Sequence, residues 1–144
     1  MNVATTSSTV AVILFAAGLA ACATPRMSEA NRLALYQAHA GPPVKQFHYF
    51  GRAMGWDRVD DEHVVLDARP RESWLLRVSG PCLDWGSGSP TLGLTSRNGL
   101  VSARFDQVLV EGSPMGCRIE EIRPVDARAV RHALKAGVGQ ASGT

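Results

Sequence analysis

Charge and aromatic groups are both sparse in this chain. Charged residues make up 19% and aromatics 6% of its 144 residues. Fifteen Lys and Arg against thirteen Asp and Glu leave a net charge of +2. That excess is too small for a protein that holds nucleic acid by charge. No apolar run reaches the roughly twenty residues that a membrane-spanning helix needs. The sequence has no C-x-x-C, no G-x-S-x-G and no G-x-x-x-x-G-K-[ST], so thiol redox, a nucleophile elbow and a phosphate loop lack their signatures. Its four histidines, His39, His48, His63 and His132, stand at no zinc-binding spacing. The acids Asp57, Asp60, Asp61 and Glu62 miss the calcium-loop register, which Val59 and Asp61 break, and read as a solvated turn. No cofactor is expected. Cysteine is scarce too, and three residues leave one over after any pairing.

At 45% hydrophobic, the chain nonetheless has enough apolar side chains for a core, and its length suits one domain. The first 21 residues carry no charged side chain. Residues 10–21, VAVILFAAGLAA, have the length and composition of a secretory h-region. The ten residues MNVATTSSTV include no Lys or Arg, so only the α-amine supplies the positive charge with which such segments normally begin. The run ends in Leu19-Ala20-Ala21-Cys22, which resembles the lipobox of bacterial lipoproteins. The resemblance implies cleavage before Cys22, a thioether-linked diacylglycerol on its sulfur and a further acyl chain on its freed amine. Two or more chains anchor durably, where one binds reversibly. Ala23 follows the cysteine where an Asp would signal inner-membrane retention. The resemblance therefore implies the periplasmic face of the outer membrane, with membrane lipid as the first partner.

Lipidation of Cys22 accounts for the odd thiol. Cys82 and Cys117 then form an even pair in an oxidising compartment, and a disulfide is the favoured reading. Two buried free thiols are the alternative.

The expected organisation is a signal peptide over 1–21, an anchor, tether and helix over 22–43, a β-rich domain with a C-terminal helix over 44–136, and a flexible tail over 137–144. Ser28 suits a helix N-cap and Glu29 a first turn, and Gly41-Pro42-Pro43 stops that helix. From Val44 the apolar period changes to two. Phe47 and Tyr49 share one side of a strand, as do Val64 and Leu66 of another. The clearest strand covers 73–79, with Trp74, Leu76 and Val78 on one face and Leu75 and Arg77 on the other. Asn98-Gly99 is a strong short-hairpin signal between a strand at Leu92 and Leu94 and a return over 100–105. Further strands fall at 107–111 and 117–123, the last ended by Pro124. Asp126 caps a helix whose apolar face is Ala129, Val130, Ala133 and Leu134.

Short connections between successive strands require antiparallel pairing. The fold class predicted is α+β, mainly β: a small curved antiparallel sheet or partly open barrel of six to seven strands between an N-terminal and a C-terminal helix. Trp74, Leu76, Val78, Leu94, Val108, Val110, Ile119 and Ile122 are the expected core.

Five segments carry a second resemblance. They are Ser79-Gly80-Pro81-Cys82-Leu83-Asp84, Leu94-Thr95-Ser96-Arg97, Phe105-Asp106-Gln107-Val108, Cys117-Arg118-Ile119 and Ile122-Arg123-Pro124-Val125-Asp126. Over about residues 44–135 they are similar to a family of small proteobacterial secreted or lipid-anchored proteins of unknown function. The resemblance supports the paired cysteines and implies no activity.

Two candidate binding features remain. Arg77, Arg97, Arg104, Arg118 and Arg123 would present bidentate donors to carboxylates, lipid phosphates or glycan acids if they converged. The competing reading is ion pairing with Asp84, Asp106, Glu120 and Glu121. Trp85 sits in a Gly- and Ser-rich loop, as a binding aromatic or as packing over the disulfide. Gly86-Ser87-Gly88-Ser89 reads as a flexible loop. The favoured function is a non-catalytic envelope module that binds an envelope protein or glycan. The alternative is a small-ligand carrier or enzyme with a site between the Trp85 loop and strands bearing Arg77, Arg97 and Arg118.

Overall fold

The structure, a computed structural model, describes residues 27–83 and 91–140. Helix α1 (Glu29–Ala38) opens with the Ser28 hydroxyl accepting from the Asn31 amide at 3.2 Å, as a side-chain N-cap does. Eight strands follow: β1 (Gln46–His48), β2 (Gly55–Arg58), β3 (His63–Arg69), β4 (Glu72–Val78), β5 (Leu92–Leu94), β6 (Leu100–Ser102), β7 (Gln107–Val110) and β8 (Cys117–Val125). Helix α2 (Ala127–Gln140) closes the order. Its start is fixed by the Asp126 carboxylate, which accepts from the Ala129 amide at 2.9 Å.

Six strands form one antiparallel sheet in the order β2-β3-β4-β8-β7-β5. Strands β1 and β6 pair as a separate ribbon. The mainly β class with a helix at either end is therefore as expected. β8 is central to the fold. One edge pairs with β4 along most of its length. The other is met in turn by β7 at Cys117 and Arg118, by the Arg104 amide at Ile119, by Val44 at Ile122 and by Gly41 at Pro124. These successive partners nearly close the sheet on itself.

The large sheet buries both faces, and each face has its own cluster. Val64, Leu66, Leu76, Val78 and Ile122 project to one side. There they meet Phe47, Tyr49 and Val101 of the ribbon segment with Val108, Ile119 and Cys117. Val65 and Leu75 project to the other side, against Tyr36 of α1 and Ala127 and Val130 of α2. Alternation along β3 and β4 thus reads apolar on both faces at their centres, as a strand covered on both sides must.

Several expectations are corrected. Pro124 does not end the last strand; β8 runs through it to Val125. A residue's N–H and C=O point to the same side of an extended strand, and the Pro124 carbonyl accepts from Gly41 at 2.8 Å. Its nitrogen therefore faces away from β4, and no β4 hydrogen bond is lost. The Asn98-Gly99 turn forms, with both residues at positive φ (53° and 74°) and an Arg97–Leu100 bridge. It does not extend into a hairpin, because β5 pairs with β7 and β6 with β1. Trp74 and Leu94 are only half-buried, whereas Leu76, Val78, Val108, Val110, Ile119 and Ile122 are core. The inner face of α2 is Ala127, Val130, Arg131 and Leu134, with Ala133 exposed. The helix continues past Gly137.

Candidate functional site

The Cys82–Cys117 disulfide is present, with Cα atoms 5.8 Å apart, inside the range a disulfide accepts. It ties the segment after β4 to the start of β8. Leu83, fully buried beside it, receives support from two directions: its amide donates to the Asp61 carbonyl and its carbonyl accepts from the Arg58 Nε, both at 2.9 Å. Arg58 also reaches Glu29 of α1 at 2.7 Å and pairs with Asp61. Cys22, Asp84, Trp85 and the Gly-Ser run 86–89 lie outside the described residues.

The arginines singled out by sequence are spread over several elements. Arg77 stands opposite His63 and Glu121 in the sheet. Arg118 pairs with Glu120 and Arg123 with Glu121, at 2.7 and 2.6 Å. Arg97 is exposed at the Asn98-Gly99 turn, and Arg104 is exposed where β6 leads towards β7. Asp106 is buried and paired with hydroxyl and amide rather than with arginine. It accepts from the Thr95 hydroxyl and the Ser102 amide, both at 2.8 Å, and so holds the β6–β7 turn against β5. The acidic cluster also divides: Asp60 binds His63 and the Glu62 amide, Asp61 binds Arg58, and Asp57 lies on β2 facing α2.

A cleft lies at the end of the β3–β4 hairpin beside the first turn of α2. It is open, has a volume of about 800 Å³, and is floored by Trp74 and Pro124. Sequence forms it in three steps. The hairpin turns on Pro70 and Arg71, between the paired Arg69 and Glu72. A register shift between Asp67 and Arg69 bends β3 there. Asp126 then starts α2 directly after β8, so the helix begins against the same hairpin.

One wall is an ion-paired cluster. Arg131, on the inner face of α2, donates to both carboxylate oxygens of Asp67 (3.1 and 3.2 Å) and to Asp57 at 3.4 Å. The Ser73 hydroxyl donates to Asp67 as well. Hydrogen bonding to Asp67 holds the Arg131 guanidinium above its ordinary pKa, against the opposing effect of burial. Near this cluster the Tyr36 hydroxyl and the Arg32 Nε are buried without hydrogen-bond partners among the described residues. Burial, reinforced by the Asp57 carboxylate, pushes the Tyr36 phenol up.

The other cleft acids are engaged too. Glu72 accepts from the Trp74 indole at 3.1 Å and lies 3.7 Å from Arg69. Asp126 serves as the α2 cap. Arg69 stacks over the exposed Phe50 ring at 4.3 Å. Arg71 and Arg128, which also line the cleft, have no hydrogen-bond or ion-pair partner among the described residues. Sequence inspection missed Arg131 and Asp67. The available signal was an arginine at the i+4 position of the Ala127, Val130, Leu134 stripe, where a charge requires a buried partner.

A second cleft, of about 570 Å³, lies between the Pro43–Gln46 segment and the 102–105 turn, with Glu120 and Glu121 beside it. Neither cleft is lined by Arg77, Arg97 or Arg118. Among the described residues, no group of three or more His, Cys, Asp or Glu side chains is placed to hold a metal ion.

No curated protein and no solved structure matches the chain. One family model does, over residues 5–140, a span that takes in the apolar N-terminal run, the disulfide and both helices. The chain belongs to that family, the family of unknown function DUF6491.

Proposed function

We propose that this protein is a lipid-anchored component of the outer membrane, held at the periplasmic face through Cys22. Its β domain is a non-catalytic module that binds another envelope component. The observation that carries the reading is Leu19-Ala20-Ala21-Cys22 at the end of an uncharged apolar run. Two features support it. A Cys82–Cys117 disulfide suits an oxidising compartment such as the periplasm. Only six residues separate Cys22 from Glu29, a reach of roughly 20 Å when fully extended, so the anchor would keep α1 close to the bilayer. The cleft at the β3–β4 hairpin is the binding site we assign to the module, in place of one between the Trp85 loop and the arginine strands. It has the volume of a small-ligand site and combines apolar floor with polar wall.

Replacement of the anchor cysteine tests this directly. Cys22→Ser should abolish incorporation of labelled palmitate and leave an uncleaved or mislocalised precursor. Recovery of that variant as mature protein in the outer-membrane fraction would overturn the anchor.

A further inference from the structure

Four guanidiniums and three carboxylates line the β3–β4 cleft: Arg69, Arg71, Arg128 and Arg131 against Asp67, Glu72 and Asp126. All three carboxylates already have partners within the protein. Arg69 and Arg131 answer two of them. Arg71 and Arg128 answer none among the described residues. The lining therefore holds one more cation than anion, and its two cations without an ion-pair partner come from different elements.

Both arginines stand where folding alone favours another residue. Arg71 has φ of 67°, the left-handed region in which Gly or Asn is the ordinary choice at a tight turn. Arg128 is in the first turn of α2, where the helix dipole disfavours a cation, and the only acid beside that turn is the Asp126 cap. Local choices that oppose the fold mark positions kept for another purpose.

We propose that this cleft binds a phosphate group, through bidentate hydrogen bonds from Arg71 and Arg128, with the rest of the ligand lying against Trp74, Met54 and Pro124. A phosphate has enough peripheral oxygens to accept from two guanidinium forks at once. The apolar floor suits a ligand with a hydrocarbon part, such as a phosphoester or a phospholipid headgroup with its glycerol. The inference rests on the binding-module half of the proposed function and not on the anchor.

The experiment uses the full chain purified in detergent. Calorimetric titration with glycerol 3-phosphate tests a soluble phosphoester, and addition of phosphatidylglycerol to the micelles, against phosphatidylcholine, tests a headgroup. Saturable binding of either probe is expected, and which one binds identifies the source. Arg71→Gly and Arg128→Gln should each weaken it by roughly tenfold or more, while the melting temperature stays level or rises. Arg97→Gln, an exposed arginine far from the cleft in sequence, should change nothing. The proposal is overturned if neither probe binds up to about 10 mM, tenfold weaker than a millimolar site. It is overturned equally if the two cleft variants bind as the parent does, or if Arg97→Gln loses as much as they do. The Cys22→Ser result has no bearing on these outcomes, so failure of the anchor and failure of the cleft are separable.

Discussion

Tyr36 is fully buried under the sheet, yet among the described residues its hydroxyl has no hydrogen-bond partner of ordinary geometry, with Arg32 near enough only to oppose the rise in its pKa. A buried polar group in that position costs about 1–3 kcal/mol. Tyr36→Phe should therefore leave stability unchanged or raise it by about 1 kcal/mol near neutral pH, measured by denaturant unfolding. A loss above about 1 kcal/mol would mean that the neighbouring Arg32 supports the hydroxyl after all. The phenol's pKa is raised by burial, and that of Tyr49 likewise. A raised pKa means that the native state keeps its proton when the unfolded chain releases it. Stability is then fully present below about pH 10, the ordinary tyrosine value, and falls as pH rises through the native value. The alkaline loss should be shallower in Tyr36→Phe; an identical profile in both proteins would exclude Tyr36 as its source.

The same scale shows what a sequence reveals about burial. Leu76 and Val78 alternate and are core; Ile119 and Ile122, three residues apart, are core on the same face because the register shift between Arg77 and Val78 passes over Glu120. Trp74 shares their face but sits one step from the sheet end, where it stacks on Phe47 at 4.8 Å and opens onto the cleft. Alternation gives the face of a strand, not how far along it the cover extends. Trp74→Ala should accordingly cost about 2 kcal/mol, less than the 3–5 typical of a fully buried large aromatic. A change below about 1 kcal/mol in urea unfolding would show that the Phe47 contact contributes little.

At the scale of elements, α2 is attached to the sheet by a narrow apolar stripe and one ionic cluster. Ala127 and Val130 are buried, Leu134 half-buried, and Arg131 bridges to Asp67 and Asp57. Arg131 is partly exposed, so the bridge is worth about 1 kcal/mol and not the larger figure of a buried pair. Arg131→Gln should lower stability by about that amount and speed amide exchange in α2 more than in β4. Uniform acceleration throughout the molecule would instead indicate that α2 opens only with global unfolding.

Both helices were legible because their starts are chemical: Ser28 and Asp126 each accept from an amide of the first turn. The Asn98-Gly99 turn was legible for the same local reason. Strand partners were not. β5 and β6 flank that turn yet join different sheets, since the long-range contacts of β7 and β1 outweigh chain proximity. The cleft was hidden by the same limitation. It exists only where the β3–β4 turn, the end of β8 and the start of α2 meet, and no spacing in the chain announces that meeting.

At the scale of the whole molecule, one covalent bond, Cys82–Cys117, ties distant parts of the chain together. The disulfide encloses a separation of 35 residues, worth roughly 4 kcal/mol in chain entropy before strain. For a domain of this size that is a large share of net stability. Cys117→Ser should lower the melting temperature by several degrees or more without altering membrane fractionation; an unchanged melting temperature would show that the enclosed segment is already restricted in the unfolded chain. The proposed lipid anchor, by contrast, should affect location and leave the fold alone. The pairing was legible because the resemblance of Leu19-Ala20-Ala21-Cys22 to a lipobox sets Cys22 apart and leaves Cys82 and Cys117 as an even pair.

The intact mass of the protein isolated from its own cells, taken without reduction, tests the proposed anchoring most directly. The account predicts a chain that has lost residues 1–21 and begins at an acylated Cys22. Its mass should also be two hydrogens below that of the reduced form, for the Cys82–Cys117 bond. An N-terminus that retains those residues, or a mature chain with no acyl mass on Cys22, would contradict it.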